Sequence, residues 1–417
     1  MTSDSKTALI TPVLVAGCVI LMTGFAIRAS FGVFQIPIAD QFGWLRAEFS
    51  LAIAIQNLAW GIGQPIFSAL AEKFGDLRAI VLGAVVYAAG LVLSSFAVTP
   101  EAHQFYEVLV GFGIAGTGFG VILAVVGRST SEEHRSLALG IATAAGSAGQ
   151  IIGPPVADAL LQIMSWSAVF IVFAVTILAV LVFLPMMRTQ PAVHSRGATD
   201  ERMADVLLKA LRDPTYAMIF LGFFSCGFQL AFVTAHFPAY IAEVCAAIPP
   251  NSVIRSLGVN STTSLGAFAI AIIGAANVVG TIAAGALGKN WSKKYLLAAI
   301  YTGRTIAAAA FILVPMTPDT VIMFSIVMGA LWLATVPLTA GLVGQIYGLK
   351  YMGTLYGVVF FSHQLGSFLG VWLGGTMYDR FGSYDMVWWV GVGVGAFSAI
   401  IHLPIREAPL AARPAAA

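Results

Sequence analysis

Two arginines interrupt long apolar stretches of this chain. Arg28 lies within Gly24-Phe-Ala-Ile-Arg-Ala-Ser-Phe-Gly32, and Arg304 lies near the middle of the apolar stretch 295–315. A charged side chain deep in an apolar helix costs at least about 2.5–3.5 kcal/mol, and a buried charge without a partner is unstable. The planar guanidinium can donate two parallel hydrogen bonds to a carboxylate. We therefore predict an anionic ligand, unless each arginine reaches a membrane interface or bonds to backbone carbonyls.

The acidic residues are placed differently. All 19 Asp and Glu fall in predicted loops or within about a turn or two of a predicted helix end, and the deepest are predicted to be Glu48 and Asp158. The middle of the apolar region is thus predicted to carry two fixed positive charges and no matching negative charge.

Two histidines also fall in apolar stretches. His236 has Thr234 and Tyr240 close by, and His363 lies in Ser362-His363-Gln364. Histidine changes charge in the physiological range, so both are candidates for carrying a proton. The alternative is a hydrogen-bonded histidine that only steadies helix packing.

Uncharged polar side chains in the same stretches either line a ligand path or hold helices together, and packing is the more frequent role. They include Gln56, Asn57, Gln64, Gln150, Gln229 and Asn277. The predicted ligand-binding set is Arg28, Gln56, Gln229, His236, Tyr240, Asn277, Arg304, His363 and Gln364. No catalytic residue, metal site or cofactor is predicted, because the sequence shows neither a nucleophile–base spacing nor a metal-ligand spacing.

These residues sit in a composition that excludes a soluble protein. The chain has 417 residues, of which 59% are hydrophobic and 10% charged, against about 25% charged in ordinary soluble domains. Cys18, Cys226 and Cys245 form no metal or disulfide pattern. The formal charge of +2 is too small to indicate nucleic-acid binding. A polytopic membrane protein remains, with the lipid bilayer as its surroundings.

Twelve segments have the roughly 20 mostly apolar residues that a spanning helix needs. They lie near 11–36, 47–70, 79–98, 105–127, 136–161, 166–187, 215–241, 263–288, 295–315, 319–345, 352–377 and 384–404. The predicted organisation is an N-terminal six-helix bundle (1–188), a cytoplasmic linker (189–213) and a C-terminal six-helix bundle (214–417).

The basic residues predict the orientation. With a cytoplasmic N-terminus, 16 of the 21 Lys and Arg fall on the cytoplasmic side, and only Arg46, Arg255 and Arg380 fall outside. This asymmetry is the usual one for loops of membrane proteins. We therefore expect both termini in the cytoplasm, and the short termini fit a bacterial inner (plasma) membrane.

The two halves repeat. A shift of 217 residues places Gly63 on Gly280, Gly140 on Gly357, Gly149 on Gly366 and Gly153 on Gly370. Small residues at such spacing also favour close helix packing in any membrane protein. Two related six-helix halves predict a central path that opens alternately to each side. Gly111 to Gly120 is predicted to pack tightly, because it lacks the Lys-Ser/Thr ending of a phosphate loop.

The pattern resembles the major facilitator superfamily. The segment Ser68-Ala-Leu-Ala-Glu-Lys-Phe-Gly75-Asp-Leu-Arg78 is similar to that superfamily's Gly-x-Leu-Ala-Asp-Arg-x-Gly-Arg motif, with Ser68, Glu72 and Lys73 as departures. In the family this motif is a conformational latch. The second copy, Gly285-Ala-Leu-Gly-Lys289, has lost the acid. The resemblance implies an all-α fold of twelve transmembrane helices in two pseudo-symmetric bundles.

Within the superfamily, two regions resemble the monocarboxylate-transporter and oxalate/formate-exchanger branch. They are Ser30-Phe-Gly-Val-Phe34 with Phe42-Gly-Trp-Leu-Arg-Ala-Glu-Phe-Ser50, and Gly366-Ser-Phe-Leu-Gly-Val-Trp-Leu-Gly-Gly375 with Gly382-Ser-Tyr-Asp385. Relatives often carry an arginine after the helix-8 glycine and can carry a lysine in helix 11. Here Gly280 is followed by Thr281, and helix 11 offers His363. Arg28 or Arg304 is left as the cation for the substrate.

The leading hypothesis is a secondary transporter of a small organic anion, a monocarboxylate moved together with a proton by a monomer. Arg28 would hold the carboxylate, and His236 or His363 would take the proton. An organic-anion exchanger or an efflux pump for amphipathic compounds is the alternative, since exchange needs no proton carrier. A membrane sensor or scaffold with this fold is a third reading, and a long soluble tail would support it.

Overall fold

The computed structural model describes residues 9–44, 46–188 and 202–410. Within these ranges the regular structure is entirely helical. Twelve long helices, numbered α1 to α12 in chain order, make up the molecule. They are α1 (Pro12–Ser30), α2 (Arg46–Phe74), α3 (Asp76–Ser94), α4 (Pro100–Thr117 continued by Phe119–Ser129), α5 (Glu132–Leu161), α6 (Trp166–Ala179), α7 (Pro214–Val244), α8 (Thr262–Asn290), α9 (Lys293–Leu313), α10 (Pro318–Ala330 continued by Thr335–Tyr347), α11 (Met352–Phe381) and α12 (Asp385–His402).

Shorter elements connect the long ones. A 3₁₀ turn over Phe31–Phe34 and a helix over Gln35–Phe42 follow α1, and the 3₁₀ segment Val180–Met187 continues α6. Most of the predicted linker lies outside the described residues, but Met203–Arg212 forms a helix. The predicted domain boundaries at 188 and 214 stay predictions.

Eleven helices of the described ranges are long and apolar enough to cross a membrane. The twelfth long helix, α2, is 29 residues long, but Gln56, Asn57 and Gln64 interrupt its apolar sequence. The helix that falls short in apolar character is therefore one that brings polar side chains into the bundle.

The two halves pack in the same way. In the N-terminal half α1 packs on α5, α2 on α4 and α3 on α6; in the C-terminal half α7 packs on α11, α8 on α10 and α9 on α12. The two most extensive contacts between the halves are α2 with α11 and α5 with α8. Each is the counterpart of the other under the repeat, so the fold has the predicted pseudo-symmetry.

The repeated glycines make equivalent close approaches. An added Cβ at Gly149 would meet the Met22 carbonyl oxygen at 2.1 Å, and one at Gly366 would meet the Phe224 carbonyl oxygen at 2.2 Å. Only glycine permits such backbone contact. The predicted tight packing in Gly111–Gly120 is confirmed too, because an added Cβ at Gly113 would meet backbone atoms of Tyr87 at 2.3 Å.

The halves are joined at one end of the bundle, where α2 is followed by α3 and α8 by α9. We call this end the base and the opposite end the top; the charges predict that the base is cytoplasmic. At the base Glu72 of α2 accepts hydrogen bonds from the backbone N–H of Gly353 at 2.7 Å and from the Thr354 hydroxyl. Lys289 of α8 pairs with Glu133 of α5 at 3.0 Å. The base is thus closed in this structure.

Candidate functional site

Arg28 lies in the last turns of α1, inside the N-terminal half and partly exposed. One guanidinium nitrogen donates to Asn57 Oδ1 of α2 at 2.6 Å. Asn57 is held for this role because its own amide nitrogen donates to the Ile53 carbonyl at 3.0 Å. Arg28 Nε is buried and has no hydrogen-bond partner. No carboxylate of the described residues lies within ion-pair distance of Arg28.

An aromatic row leads from Arg28 across the junction of the two halves. Arg28 Cζ lies 4.9 Å from the ring centroid of Trp60. The Trp60 ring lies 4.7 Å from that of Phe360 in α11, and Phe360 stacks on His363 at 5.2 Å. A cation over an aromatic face is attracted by the ring quadrupole. The row therefore stabilises Arg28 and connects it to a titratable side chain of the other half.

Hydrogen bonds make the same connection. Gln364 Nε2 of α11 donates to the Asn57 carbonyl oxygen at 3.1 Å, and Gln364 Oε1 lies 3.0 Å from His363 Nδ1. His363 Nε2 is buried and has no hydrogen-bond partner. The structure thus brings together Arg28, Asn57, Trp60, Phe360, His363 and Gln364, which we call the Arg28 cluster.

Glu107 is a site residue that sequence reasoning missed. Its side chain in α4 is 0% exposed, whereas Glu48 is half-buried and Asp158 exposed. The prediction that these two carboxylates lie deepest is wrong, because α4 begins at Pro100 and places Glu107 two turns inside. Thr99 caps the helix and Pro100 occupies its first turn, a start signal readable from sequence. Gln56, predicted to bind ligand, instead donates to Glu107 Oε2 at 2.6 Å.

Arg304 lies outside the Arg28 cluster, and although α9 is a peripheral helix its side chain is 0% exposed. It approaches Cys226 of α7 through the sulfur at 3.4 Å and the carbonyl oxygen at 3.5 Å. Helices α3 and α9 begin 217 residues apart, so Arg304 is the counterpart of Tyr87.

Tyr87 makes the equivalent bond in the N-terminal half. Its hydroxyl donates to the Gly24 carbonyl of α1 at 3.2 Å. Gly24 is the counterpart of Cys226, because Gly149 packs on Met22 just as Gly366 packs on Phe224. A side chain that repeats a helix-to-helix bond of the other half has a packing role, and this placement favours packing for Arg304.

His236, Tyr240 and Gln229 also lie apart from the Arg28 cluster. His236 Nε2 lies 3.0 Å from the Val371 carbonyl of α11, and an added Cβ at Gly374 would meet the ring at 2.4 Å. Tyr240 packs its ring against Tyr384 and Trp388. Gln229 donates to the Gly391 carbonyl at 2.7 Å. Each of these contacts stays within the C-terminal half.

Asn277 joins the halves on the other side of the molecule. It donates to Ser147 Oγ of α5 at 2.8 Å and accepts from the Leu333 backbone N–H at 2.9 Å. In the repeat Ser147 is the counterpart of Gln364 and Asn277 that of Trp60, so the two contacts between the halves use equivalent positions but different hydrogen bonds. Asn277 therefore contributes to the contact between α5 and α8. Gln364 contributes to the contact between α2 and α11, where it belongs to the Arg28 cluster.

Comparison with known proteins decides the family. The profile of the Major Facilitator Superfamily matches residues 16–371. The chain belongs to the Major Facilitator Superfamily. It is thus a multi-pass membrane transporter.

The similar proteins have low sequence identity to this chain, but the alignments cover most of both sequences. The MFS-type transporter YcxA of Bacillus subtilis is 25% identical, over 90% of this chain and 90% of its own. Monocarboxylate transporter 12 of Xenopus laevis is 24% identical over 89% of this chain and 83% of its own. Monocarboxylate transporter 13 of Bos taurus is 25% identical over 92% and 88%.

Solved structures share the fold of this superfamily member. The proton:xylose symporter XylE superposes with a TM-score of 0.73 at 14% identity, covering 97% of this chain and 98% of that one. The Escherichia coli fucose:proton symporter FucP superposes with a TM-score of 0.68 at 17% identity, covering 93% and 97%. At these identities the likeness concerns the fold alone.

Proposed function

We propose that this protein is a secondary transporter that moves a small organic anion, a monocarboxylate, together with a proton. The observation that carries the proposal is Arg28, a guanidinium inside the bundle whose described partners are an amide oxygen and an indole ring. A fixed positive charge in a low-dielectric interior attracts an anion strongly. An anionic substrate supplies the missing partner.

The surroundings of Arg28 suit a short carboxylate. One N–H group of the guanidinium donates to Asn57, and other N–H groups, including that of the unpartnered Nε, are available. A carboxylate can accept two parallel hydrogen bonds from a guanidinium. Phe25 and Phe360 flank Trp60 at ring distances of 5.6 and 4.7 Å. These faces suit an apolar tail of a few carbons, and they provide no second cation for a dicarboxylate.

Alternating access supplies the mechanism. The Arg28 cluster spans α1, α2 and α11, so it contains residues of both halves. Rocking of the halves would separate Glu72 from α11 and Lys289 from α5, which opens the base, while the top closes over the bound anion. A substrate drives this cycle only by its differential affinity for the states. A carboxylate that contacts both Arg28 of α1 and His363 of α11 would bind the two states with different affinities, because the rocking motion changes the distance between these residues.

The named relatives support the substrate class, because two of the relatives reported above are monocarboxylate transporters. The chain departs from the branch at Thr281, whose hydroxyl donates to its own helix at Asn277 O, 2.9 Å away. In this proposal Arg28 of α1 therefore replaces a helix-8 arginine as the carboxylate ligand. We also propose a plasma-membrane location with both termini cytoplasmic, which a reporter fused to the C-terminus tests.

The first experiment is a thermal-stability screen of the purified protein in detergent. The panel holds lactate, pyruvate, acetate, oxalate, longer carboxylates, phosphate, amino acids and cationic drugs. A ligand at ten times its Kd stabilises by about 1.4 kcal/mol, which gives a visible shift. We expect shifts with monocarboxylates that disappear in Arg28→Gln and persist in the control Arg255→Gln, which removes a positive charge from the top loop.

Transport is then measured in liposomes with the carboxylate that the screen selects. Uptake driven by an inward proton gradient supports symport. Uptake that ignores the gradient and needs internal substrate would instead establish the exchanger. Stabilisation by cations or bulky amphipaths alone would overturn the anion proposal and favour efflux.

A further inference from the structure

One carboxylate of the N-terminal half has no role so far. Among the described residues, Glu107 is the one acidic side chain that lies fully inside the protein. Gln56 Nε2 of α2 donates to its Oε2 at 2.6 Å, and Ser94 Oγ of α3 donates to its Oε1 at 3.0 Å. A buried ionised carboxylate is costly unless it is paired, so its protonation state matters to the whole bundle.

The partners of Glu107 suit both protonation states. An amide carries a donor and an acceptor, and a hydroxyl can donate or accept. Gln56 and Ser94 can therefore donate to a carboxylate or, after the amide turns over, accept from a carboxylic acid. An arginine or lysine in their place would hold only the charged form. Uncharged, reversible partners are what a group that gains and loses a proton in each cycle requires.

The surroundings of Glu107 contain few titratable or charged groups. On its own helix, His103 Nε2 lies 3.9 Å from Glu107 Oε1, one turn nearer the top. Both ring nitrogens of His103 are buried and have no hydrogen-bond partner. On α3, the Tyr87 hydroxyl donates to the Gly24 carbonyl of α1 at 3.2 Å, one turn before Arg28. From α2, the uncharged Gln56 faces Glu107.

Charge balance links the proton to the anion. When the site is empty, Arg28 and an ionised Glu107 leave this part of the bundle neutral. A carboxylate that binds Arg28 adds a negative charge, and a proton on Glu107 restores neutrality. Coupling of this kind is reciprocal, so the bound proton tightens anion binding as much as the anion tightens proton binding. Adjacent residues of α2 carry the two contacts, Gln56 to Glu107 and Asn57 to Arg28.

We propose that Glu107 is the proton-binding residue of the transport cycle. This proposal rests on the proposed function, and it replaces the predicted histidine carriers with a carboxylic acid. The proton forms an O–H bond with a carboxylate oxygen of Glu107 when the anion binds Arg28. That bond breaks when the anion departs to the other side, and the proton passes to water on that same side, so that both are transported together. Glu107 itself does not contact the anion.

The test compares Glu107→Gln with Glu101→Gln in liposomes. Both variants exchange an acid for its amide on α4, but Glu101 is exposed in the first turn. We expect Glu107→Gln to lose accumulation driven by a proton gradient while it keeps counterflow, the exchange of labelled for unlabelled anion. Glu101→Gln should match the wild type in both assays.

Binding gives a second readout. In the wild type the anion Kd should weaken by up to about tenfold per pH unit above a midpoint, because one proton binds with the anion. In Glu107→Gln the Kd should stay within about twofold between pH 5.5 and 8. If Glu107→Gln does not fold, Gln56→Met is used, which keeps the acid but changes its partner and should move the midpoint.

The outcomes separate the two proposals. Gradient-driven accumulation and an unchanged pH dependence of Kd in folded Glu107→Gln would overturn the role of Glu107 and leave the transport function standing. Absence of counterflow and of anion binding in the wild type would instead overturn the proposed function. A midpoint that Gln56→Met leaves in place would likewise contradict the role of Glu107.

Discussion

The two halves of the protein share one architecture and differ in where they carry polar residues. Under the repeat, Arg28 corresponds to Leu230, Gln56 to Ile273, and Glu107 to Ser325. Ser325 is buried and bonds only to the Val321 carbonyl of its own helix at 2.8 Å. In our proposals the N-terminal half thus supplies both Arg28 and Glu107, while α11 adds His363 and Gln364. The two halves keep the same packing but differ in which polar residues they bury.

The two arginines inside the membrane helices also differ in what they contact. Arg28 bonds to a side chain that is itself held in place, and it keeps unpartnered N–H groups. Arg304 takes the place of a tyrosine and contacts the carbonyl of the counterpart residue on α7. Two arginines with similar sequence surroundings therefore differ in role, because one faces the junction of the halves and the other faces its own half.

The strongest test of this contrast makes the N-terminal half resemble the C-terminal half at one position. Arg28→Leu copies Leu230 and should lower transport by more than about 100-fold, equivalent to about 2.7 kcal/mol of lost stabilisation. The fold should survive, because leucine is the residue of the counterpart position. Initial uptake rates and the elution profile in detergent measure the two effects. Retained transport in a folded Arg28→Leu protein would remove Arg28 from the site.

The converse test concerns Arg304. Arg304→Tyr copies Tyr87 and should keep at least about half of the transport rate. Arg304→Ala leaves a cavity in the C-terminal half and should destabilise the protein by about 2–4 kcal/mol. Unfolding midpoints in detergent and uptake rates distinguish them. Loss of anion binding in a stable Arg304→Tyr protein would show that Arg304 holds substrate.

We expect substitutions of the two histidines to differ less in their effects than substitutions of the two arginines. His363 stacks on Phe360 within the Arg28 cluster, whereas His236 binds the Val371 carbonyl. His363→Gln should weaken anion affinity by about tenfold, about 1.4 kcal/mol, and leave the response to a proton gradient intact. His236→Gln should change affinity less than about twofold. Kd values from titration calorimetry decide this, and equal effects of the two substitutions would contradict the assignment of His363 to the site.

The smallest effects are expected at the base. Glu72→Gln weakens a half-buried contact with α11 and should lower transport by about three- to tenfold, because the closed-base state loses a hydrogen-bond acceptor. Lys289→Gln breaks an exposed pair and should leave transport within about twofold. Labelling of a cysteine placed at the base reports its opening. Equal labelling in Glu72→Gln and the wild type would show that Glu72 does not hold the base closed.

The sequence by itself determined most of the fold. The apolar lengths located the twelve helices to within a few residues at most ends, because backbone groups in lipid must be satisfied within the helix. The 217-residue repeat of glycines predicted two related halves, and the structure shows which helices these glycines bring together. Arg28 stood out for the same reason, because an unpaired charge in an apolar helix is visible without any structure.

Only the tertiary structure decided what the polar residues contact. Gln56 reaches Glu107 across 51 residues of sequence, Arg304 reaches Cys226 across 78, and Gln364 reaches Asn57 across 307. A sequence pattern records the face of one helix and not the neighbour that the face meets. Glu107 looked like a residue near a helix end, and it became a buried acid because α2 and α3 close around it. The partner, and therefore the role, is a property of the packed bundle.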